Sequence, residues 1–296
     1  MQSDAAKAAP LIWALCGIYT QPAKLKRKIM STNQVDQPGE ENFYPKSELP
    51  FFEKIWGKGF VSPGGPTEVA KILKGVELEN KRILDIGCGM GGIDILLVEK
   101  YGAAEVIGID VEKPVLEKAE RYALEAGVAE KIDFILVEPG PLRFENDSFD
   151  IVFSKDALLH ISDKSMLFSE IFRVLKPGGV FVGGDWLRGE YDIPSEQMKM
   201  FFELTHNEFN MVTLREYERK LADAGFSGIS LLNRNEWYQG VVKAELKKIL
   251  SLKEEIVDAV GLETYQDGWE SFWIVLVETL KSGEFCPAHF HAIKKA

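Results

Sequence analysis

The sequence predicts an α/β fold built on a mostly parallel sheet. Three observations carry the prediction. Short apolar runs alternate with longer stretches of helical periodicity, a glycine-rich turn follows the first such run, and an acid ends the second. The 296 residues are 46% hydrophobic, which is ample for a single elaborated domain.

Taken in order, residues 51–60 read as an aromatic-rich helix that stops at Ser62-Pro63-Gly64-Gly65, and 67–73 as the next helix. Residues 82–86 form a short apolar strand running into the glycines of 87–92. A helix over 93–101, a strand over 105–109 and a helix over 113–126, ended by Gly127, complete two crossover units. Strands follow at 132–137 and 149–155. A helix over 164–175 is stopped by Lys176-Pro177-Gly178-Gly179, and a fifth strand runs over 180–185. The rhythm then changes. Residues 187–211 read as an inserted helical lid over the site, followed by a strand at 227–232, helices at 243–260 and 269–281, and a closing strand at 284–294. Residues 1–43 read as a poorly ordered N-terminal extension, of which 1–29 look like the product of a generously assigned start, and 44–296 as the working domain.

Charge and cysteines narrow the classes. A net charge of −11 repels phosphodiesters, so no nucleic-acid partner is expected. The apolar run 11–19 is too short to span a bilayer, and its basic cluster follows rather than precedes it, so no membrane association is expected. Cys16, Cys88 and Cys286 show no metal-ligand spacing. A metal-free site and a reducing, cytoplasmic setting are expected; oligomeric state is not legible.

The densest chemistry lies in Leu84-Asp85-Ile86-Gly87-Cys88-Gly89-Met90-Gly91-Gly92. Closely spaced glycines after a strand let a ligand approach the backbone where a helix begins. Asp85 would repel a pyrophosphate but accepts from an ammonium. Asp110, ending the second strand, suits a pair of ribose hydroxyls, a logic shared with dinucleotide sites. An N-cap role for Asp110 is compatible with this one.

With LDIGCGMGG (84–92), GID (108–110), FDIVFSKDALLHI (149–161) and LKPGG (175–179) in this order, the chain resembles the class I S-adenosylmethionine-dependent methyltransferases. That resemblance implies a Rossmann-like sheet of seven strands, the last antiparallel. A narrower resemblance, to the phosphoethanolamine (phosphobase) methyltransferases, rests on Tyr44, FEKIWGKGFVSPGG (52–65), SKDALLHIS (154–162), MVTLREY (211–217) and DGW (267–269). It implies that Ser62 and Gly64 hold the cofactor's methionyl end. It also implies that Asp156 and His160 lie beside the substrate and that Tyr44 pairs with His160 as a catalytic latch. The expected cofactor set is completed by Asp85, Gly87, Gly89, Gly91, Asp110, Val111, Glu138, Pro139 and Lys155. Glu138 stands where that class usually has an adenine-contacting Asp.

The chain departs from the phosphobase pattern where that family binds phosphate. Trp186, Asn207, Phe209 and the Ser271/Phe272 region replace its Tyr, Arg and basic residues. A dianion without Arg or Lys is poorly stabilised. What stands there is aromatic: Trp186, Phe209, Trp237, Trp269, Phe272 and Trp273, a composition suited to a methylated cation. Phe52, Trp186, Phe209 and Trp269 are the expected substrate contacts. Arg188, Arg215 and Arg234 are weaker candidates for clamping a carboxylate. The expected function is methyl transfer to nitrogen or sulfur of a small zwitterionic, amino-acid-like amine or thioether, with methionine S-methylation and amine N-methylation both open. A phosphobase N-methyltransferase, a non-catalytic cofactor-binding protein and an NAD-dependent dehydrogenase are the alternatives.

Overall fold

A computed structural model describes residues 48–205 and 209–296, apart from the side chains of Thr264 and Asp267. Tyr44, Asn207 and the expected N-terminal extension lie outside the described residues. Among those described, seven strands form one sheet: β1 (Arg82–Ile86), β2 (Glu105–Asp110), β3 (Ile132–Leu136), β4 (Phe149–Lys155), β5 (Leu175–Arg188), β6 (Ser227–Asn233) and β7 (Phe285–Ile293). Their order is β3-β2-β1-β4-β5-β7-β6. The first five run parallel, and β7 is antiparallel to both β5 and β6.

Alternation along the strands sends side chains to two cores. Ile83, Val106, Phe153, Val182 and Trp186 face one. It is roofed by α1 (Leu49–Trp56), α2 (Gly65–Ile72), α3 (Gly92–Glu99), α4 (Lys113–Ala126) and the later helices. Leu84, Ile107, Val152 and Phe181 face the other, under α5 (Lys164–Val174) and, after α6 (Glu196–Thr205), α7 (Leu214–Asp223). Local signals explain several ends. Gly127 closes α4 in the left-handed conformation, at φ 73°. Thr213 and Glu216 form a reciprocal capping box that starts α7.

Several boundaries differ from expectation: the first helix ends at Trp56, where Gly57 leaves the helical conformation, rather than running to residue 60, and later ones shift more. The fifth strand begins at Leu175, directly on the end of α5, because Leu175 pairs with Phe149 before a shift of register restores pairing at Ile151 with Val180. It also runs on through Leu187 and Arg188, which pair with Cys286 and Phe285, so the first two residues expected in the insertion belong to the sheet. The helix expected at 243–260 is two, α8 (Asn235–Ser251) and α9 (Lys253–Val260), broken at Leu252. After the short α10 (Leu262–Thr264), a wide π-helical turn (Tyr265–Glu270) precedes α11 (Ser271–Ser282), so Trp269 stands before the last helix rather than in it. No described helix is long and apolar enough to cross a membrane.

The segment before α2 lies directly on the glycine turn. Gly92 N–H donates to Gly59 O at 3.0 Å. A Cβ at Gly92 would sit 2.6 Å from that oxygen, so backbone meets backbone with no room to relax. We therefore expect Gly92→Ala to cost about 1–3 kcal/mol of stability, read by chemical denaturation. Gly240→Ala, a helical position with open space around it, is the opposite case and should stabilise by about 0.5–1 kcal/mol.

Candidate functional site

The glycine turn brings three carboxyls together. Asp85, Asp94 and Asp110 are all buried. Asp110 accepts from Gly89 N–H at 2.9 Å and from Glu112 N–H at 3.0 Å, which fixes its carboxylate across the turn. Neither oxygen of Asp85 or of Asp94 has a hydrogen-bond partner. Burial pushes Asp94 up to about 8 and Asp110 up to about 6. It lifts Asp85 far above the usual carboxyl range, with Asp94 and Asp110 adding repulsion. Such a cluster is poised for a cation. Gly89 and Gly91 adopt φ 55° and 75°, and their missing side chains make room for Val61 and Phe134. Gly87, at φ 81°, anchors the turn through its N–H to Ile109 O.

Lys155 ends β4 beneath the segment that carries Ser62 and Gly64. Its Nζ donates to Ser62 Oγ and to Pro63 O, each at 2.9 Å, and pairs with Asp156. Gly64, at φ 92°, leaves the space that Trp237 fills: a Cβ there would lie 2.7 Å from the indole. Val111 follows Asp110 and is partly buried. Glu138 and Pro139 are exposed and stand just past Val137, whose N–H donates to Asp110 O; Glu138 meets Arg143 at 3.7 Å.

Asp156 has the left-handed backbone rare for a non-glycine residue, at φ 57°, and its N–H donates to Gly184 O at 2.8 Å. Its Oδ1 is buried without a partner, and burial raises its carboxyl against the pull of Lys155. Asp156 caps no helix: the following turn begins on Ala157, with no side-chain cap. That turn carries His160, whose ring packs edge-on against Phe209 at 5.3 Å. Burial, and then Lys164, hold the His160 imidazole well below its ordinary range.

Two residues that the sequence reading missed fix this turn. Asp185 accepts from Leu159 N–H and Trp186 N–H, each at 3.0 Å. The buried Lys164 Nζ donates to Leu158 O, Ile161 O and Asn210 O at 2.8–2.9 Å, joining the turn to the chain just ahead of α7. A third, Glu245 on α8, accepts from Trp56 Nε1 at 2.9 Å and Trp273 Nε1 at 3.3 Å. Its signal was an acid within the buried stripe Tyr238, Val242, Glu245, Ile249.

The aromatic residues divide. Phe52 stacks on Trp56 and Trp269, and Trp269 on Trp273. Trp186 stands against Tyr238 and Phe285. The indole N–H groups of Trp186 and Trp269 are buried without acceptors. Trp237 is elsewhere, between Lys71 and Arg234 over the Gly64 turn, and Phe272 packs on Phe201 in the core. Arg234 is no carboxylate clamp for a ligand. It forms a two-pronged pair with Glu68 at 3.0 and 2.9 Å, because a fully buried Glu68 requires a counter-charge; His289 adds a third contact at 2.6 Å. Arg188 reaches Glu216 and Tyr191 O, and Arg215 is exposed. Among the described residues no group of three potential ligands could hold a metal ion.

The chain belongs to the methyltransferase-domain family, whose model matches residues 77–252. It is 30% identical, over 77% of its length, to phosphoethanolamine N-methyltransferase 1 of Arabidopsis thaliana, of which it spans 46%. It is 29% identical over 78% of its length to the phosphoethanolamine N-methyltransferase of Plasmodium falciparum, spanning 86% of that protein. The Haemonchus contortus phosphoethanolamine N-methyltransferase 2, solved with phosphomonomethylethanolamine and S-adenosylhomocysteine, superposes with a TM-score of 0.78 at 28% identity, over 86% of this chain and 59% of that one. The domain is thus of the class I, S-adenosylmethionine-dependent kind and resembles the phosphobase methyltransferases.

The carboxyls at the glycine turn suit that cofactor, Asp85 its ammonium and Asp110 its ribose hydroxyls, and a donor arriving at the cluster would favour the ionised forms. A group whose raised value falls on binding makes binding tighter as pH rises. Cofactor affinity, followed by calorimetry, should therefore increase between about pH 6 and about pH 8, the span of Asp110 and Asp94, with protons released on binding. Asp110→Ala should weaken it by about tenfold or more, as loss of a charged hydrogen-bond acceptor does.

Proposed function

We propose that this member of the methyltransferase-domain family transfers the methyl group of S-adenosylmethionine to the nitrogen of a small amine, glycine-like zwitterions included. The observation that carries the reading is Asp156: a buried carboxylate with one unpartnered oxygen, beside the turn that bears His160. When bound, the cofactor supplies a methyl group activated on sulfur. Asp85, the turn of Gly87, Gly89 and Gly91, and Asp110 with Val111 would hold it on one side. Ser62 and Gly64, braced by Lys155, would hold its methionyl end, and Glu138 and Pro139 border its outer edge.

The chain's own part is deprotonation and placement. An ammonium has no lone pair until it loses a proton. His160 accepts one: burial and Lys164 make its imidazole a weaker base than usual, and the same burial weakens the ammonium's hold on its proton. Asp156 Oδ1 accepts a remaining N–H and so orients the nitrogen. Tyr44 is assigned as the partner of His160. Phe52, Trp186, Phe209 and Trp269 exclude water around the acceptor. A thioether has no proton to lose and so needs no base, which ranks sulfur behind nitrogen beside His160. A phosphobase acceptor is the second reading, favoured by the relatives' own activity. Against it, Lys155, Lys164, Arg188 and Arg234 all have partners already.

Purified protein given methyl-labelled S-adenosylmethionine and a panel of glycine, its N-methyl derivatives, ethanolamine, phosphoethanolamine and methionine should yield a labelled N-methyl product. Labelled S-methylmethionine alone would overturn the reading. His160→Ala should lower kcat by about 100-fold while cofactor affinity stays within about twofold. Equal loss of both would make His160 a packing residue.

A further inference from the structure

Lys164 stands where a lysine is doubly disfavoured. It is the first residue of α5, the helix end that repels a cation, and it is only 1% exposed. Burial lowers its ammonium to about 8, against the pull of Asp185. A side chain under two such penalties persists where its donors are needed. An ammonium has three N–H groups, and here each meets a main-chain carbonyl: Leu158 O at 2.8 Å, Ile161 O at 2.8 Å and Asn210 O at 2.9 Å.

Those carbonyls belong to the turn that carries His160 and to the residue after Phe209. Asp185 grips the same turn by accepting from Leu159 N–H at 3.0 Å. Asn210 closes a ring of contacts: its O accepts from Lys164, and its side-chain amide donates to His160 O at 3.3 Å. Phe209, next to it, sets its ring edge-on to the imidazole at 5.3 Å. The position of the imidazole therefore depends on residues 209–210 lying against the turn, and Lys164 is bonded to both. A neutral side chain of that length cannot offer three donors, so loss of the ammonium would leave three carbonyls without this partner.

We propose that Lys164, working with Asn210, is a positioning residue for methyl transfer, fixing where the His160 imidazole stands and tying that position to the docking of residues 209–210. This rests on the reading of His160 as the proton acceptor and deepens it. Lys164 also has a purely structural task available, stapling α5 to the chain ahead of α7, and the test must separate the two. The other charged groups around the turn are Asp156 ahead of it, Asp185 on β5, and Lys220 on α7, which donates to Ser165 Oγ at 2.9 Å.

The imidazole itself is the probe. The full chain, isotope-labelled in histidine and saturated with S-adenosylhomocysteine, is titrated by NMR, and the His160 signal is identified by its loss in His160→Ala. Lys164→Met keeps the length of the side chain but removes its donors and its charge. There the His160 signal should move and its titration should shift to higher pH, because burial alone, without the neighbouring cation, then holds the imidazole down. Its kcat for the amine should fall by about tenfold or more, with S-adenosylhomocysteine affinity within about twofold of wild type. Asn210→Ala removes an exposed amide and tests the same link without disturbing the core. Its His160 signal should also move, its titration should stay in place because the Lys164 charge remains, and kcat should fall by about fivefold, the scale of one hydrogen bond. An unchanged His160 signal in either folded variant would overturn the proposal and leave Lys164 as the staple. Cofactor affinity falling as far as kcat would do the same. If Lys164→Met does not fold, Asn210→Ala decides by the same readings. The titration needs no acceptor, so a turnover panel without an N-methyl product would sink the amine reading and still leave this outcome readable.

Discussion

Lys155 is the contact on which the site depends. Its ammonium joins two stretches of chain that the sequence sets far apart: Ser62 and Pro63 ahead of α2, and the end of β4, where it pairs with its own neighbour Asp156. Lys155 and Asp156 are both buried, and burying an ion pair gains little by itself. Removing one partner is different, since the surviving charge is left stranded at a cost of about 3–5 kcal/mol. The pair therefore does less to stabilise the fold than to dictate one arrangement. The 57–65 segment must lie across the strand ends, and Asp156 must turn its free oxygen away from the lysine.

A second buried network does the same from the opposite side. Glu68 on α2 is wholly buried and draws Arg234 and His289 to itself, which ties α2 to β7 and to the start of α8. These partners hold Glu68 down to about 2 against the effect of burial. The Gly64 turn is thus held by Lys155 below it and by Trp237, next to Arg234, above it. The position of the segment follows from charge satisfaction rather than from helix propensity, and α2 is only eight residues long.

The parallel strands and the glycine turn were legible because their signals are local: apolar runs bounded by turns, and glycines where φ is positive. Asp156 and His160 were reached through the resemblance, and geometry then supplied their neighbours. Lys164 was not legible, and Glu245 only by its place in an apolar stripe. Each is a charged residue in a helix, a pattern that ordinarily marks a solvated face, and only tertiary packing buries them. Arg234 shows the same limit from the other side. Its spacing gave no hint of Glu68, which lies 166 residues away. The break between α8 and α9 at Leu252 has no glycine or proline to announce it.

Unpaired polar atoms identify the working face of the sheet independently of any of these assignments. Each buried donor or acceptor without a partner costs about 1–3 kcal/mol, so a fold tolerates them where something else will complete them. Not all do so here: Tyr217 Oη is buried without a partner in the second core. Yet Asp85, Asp156, Asp185 and Trp186 lie toward the carboxyl ends of three adjacent strands, β1, β4 and β5. Connections leave β1 toward β2 on one side of the sheet, while β4 continues it on the other, which makes the crevice between β1 and β4 the topological switch point. Acids with free oxygens therefore border the crevice where this class of sheet binds ligands. Carboxyls lodged in such a crevice favour a cation over an anion, since only a cation or a donor offsets the burial that holds them toward their neutral forms.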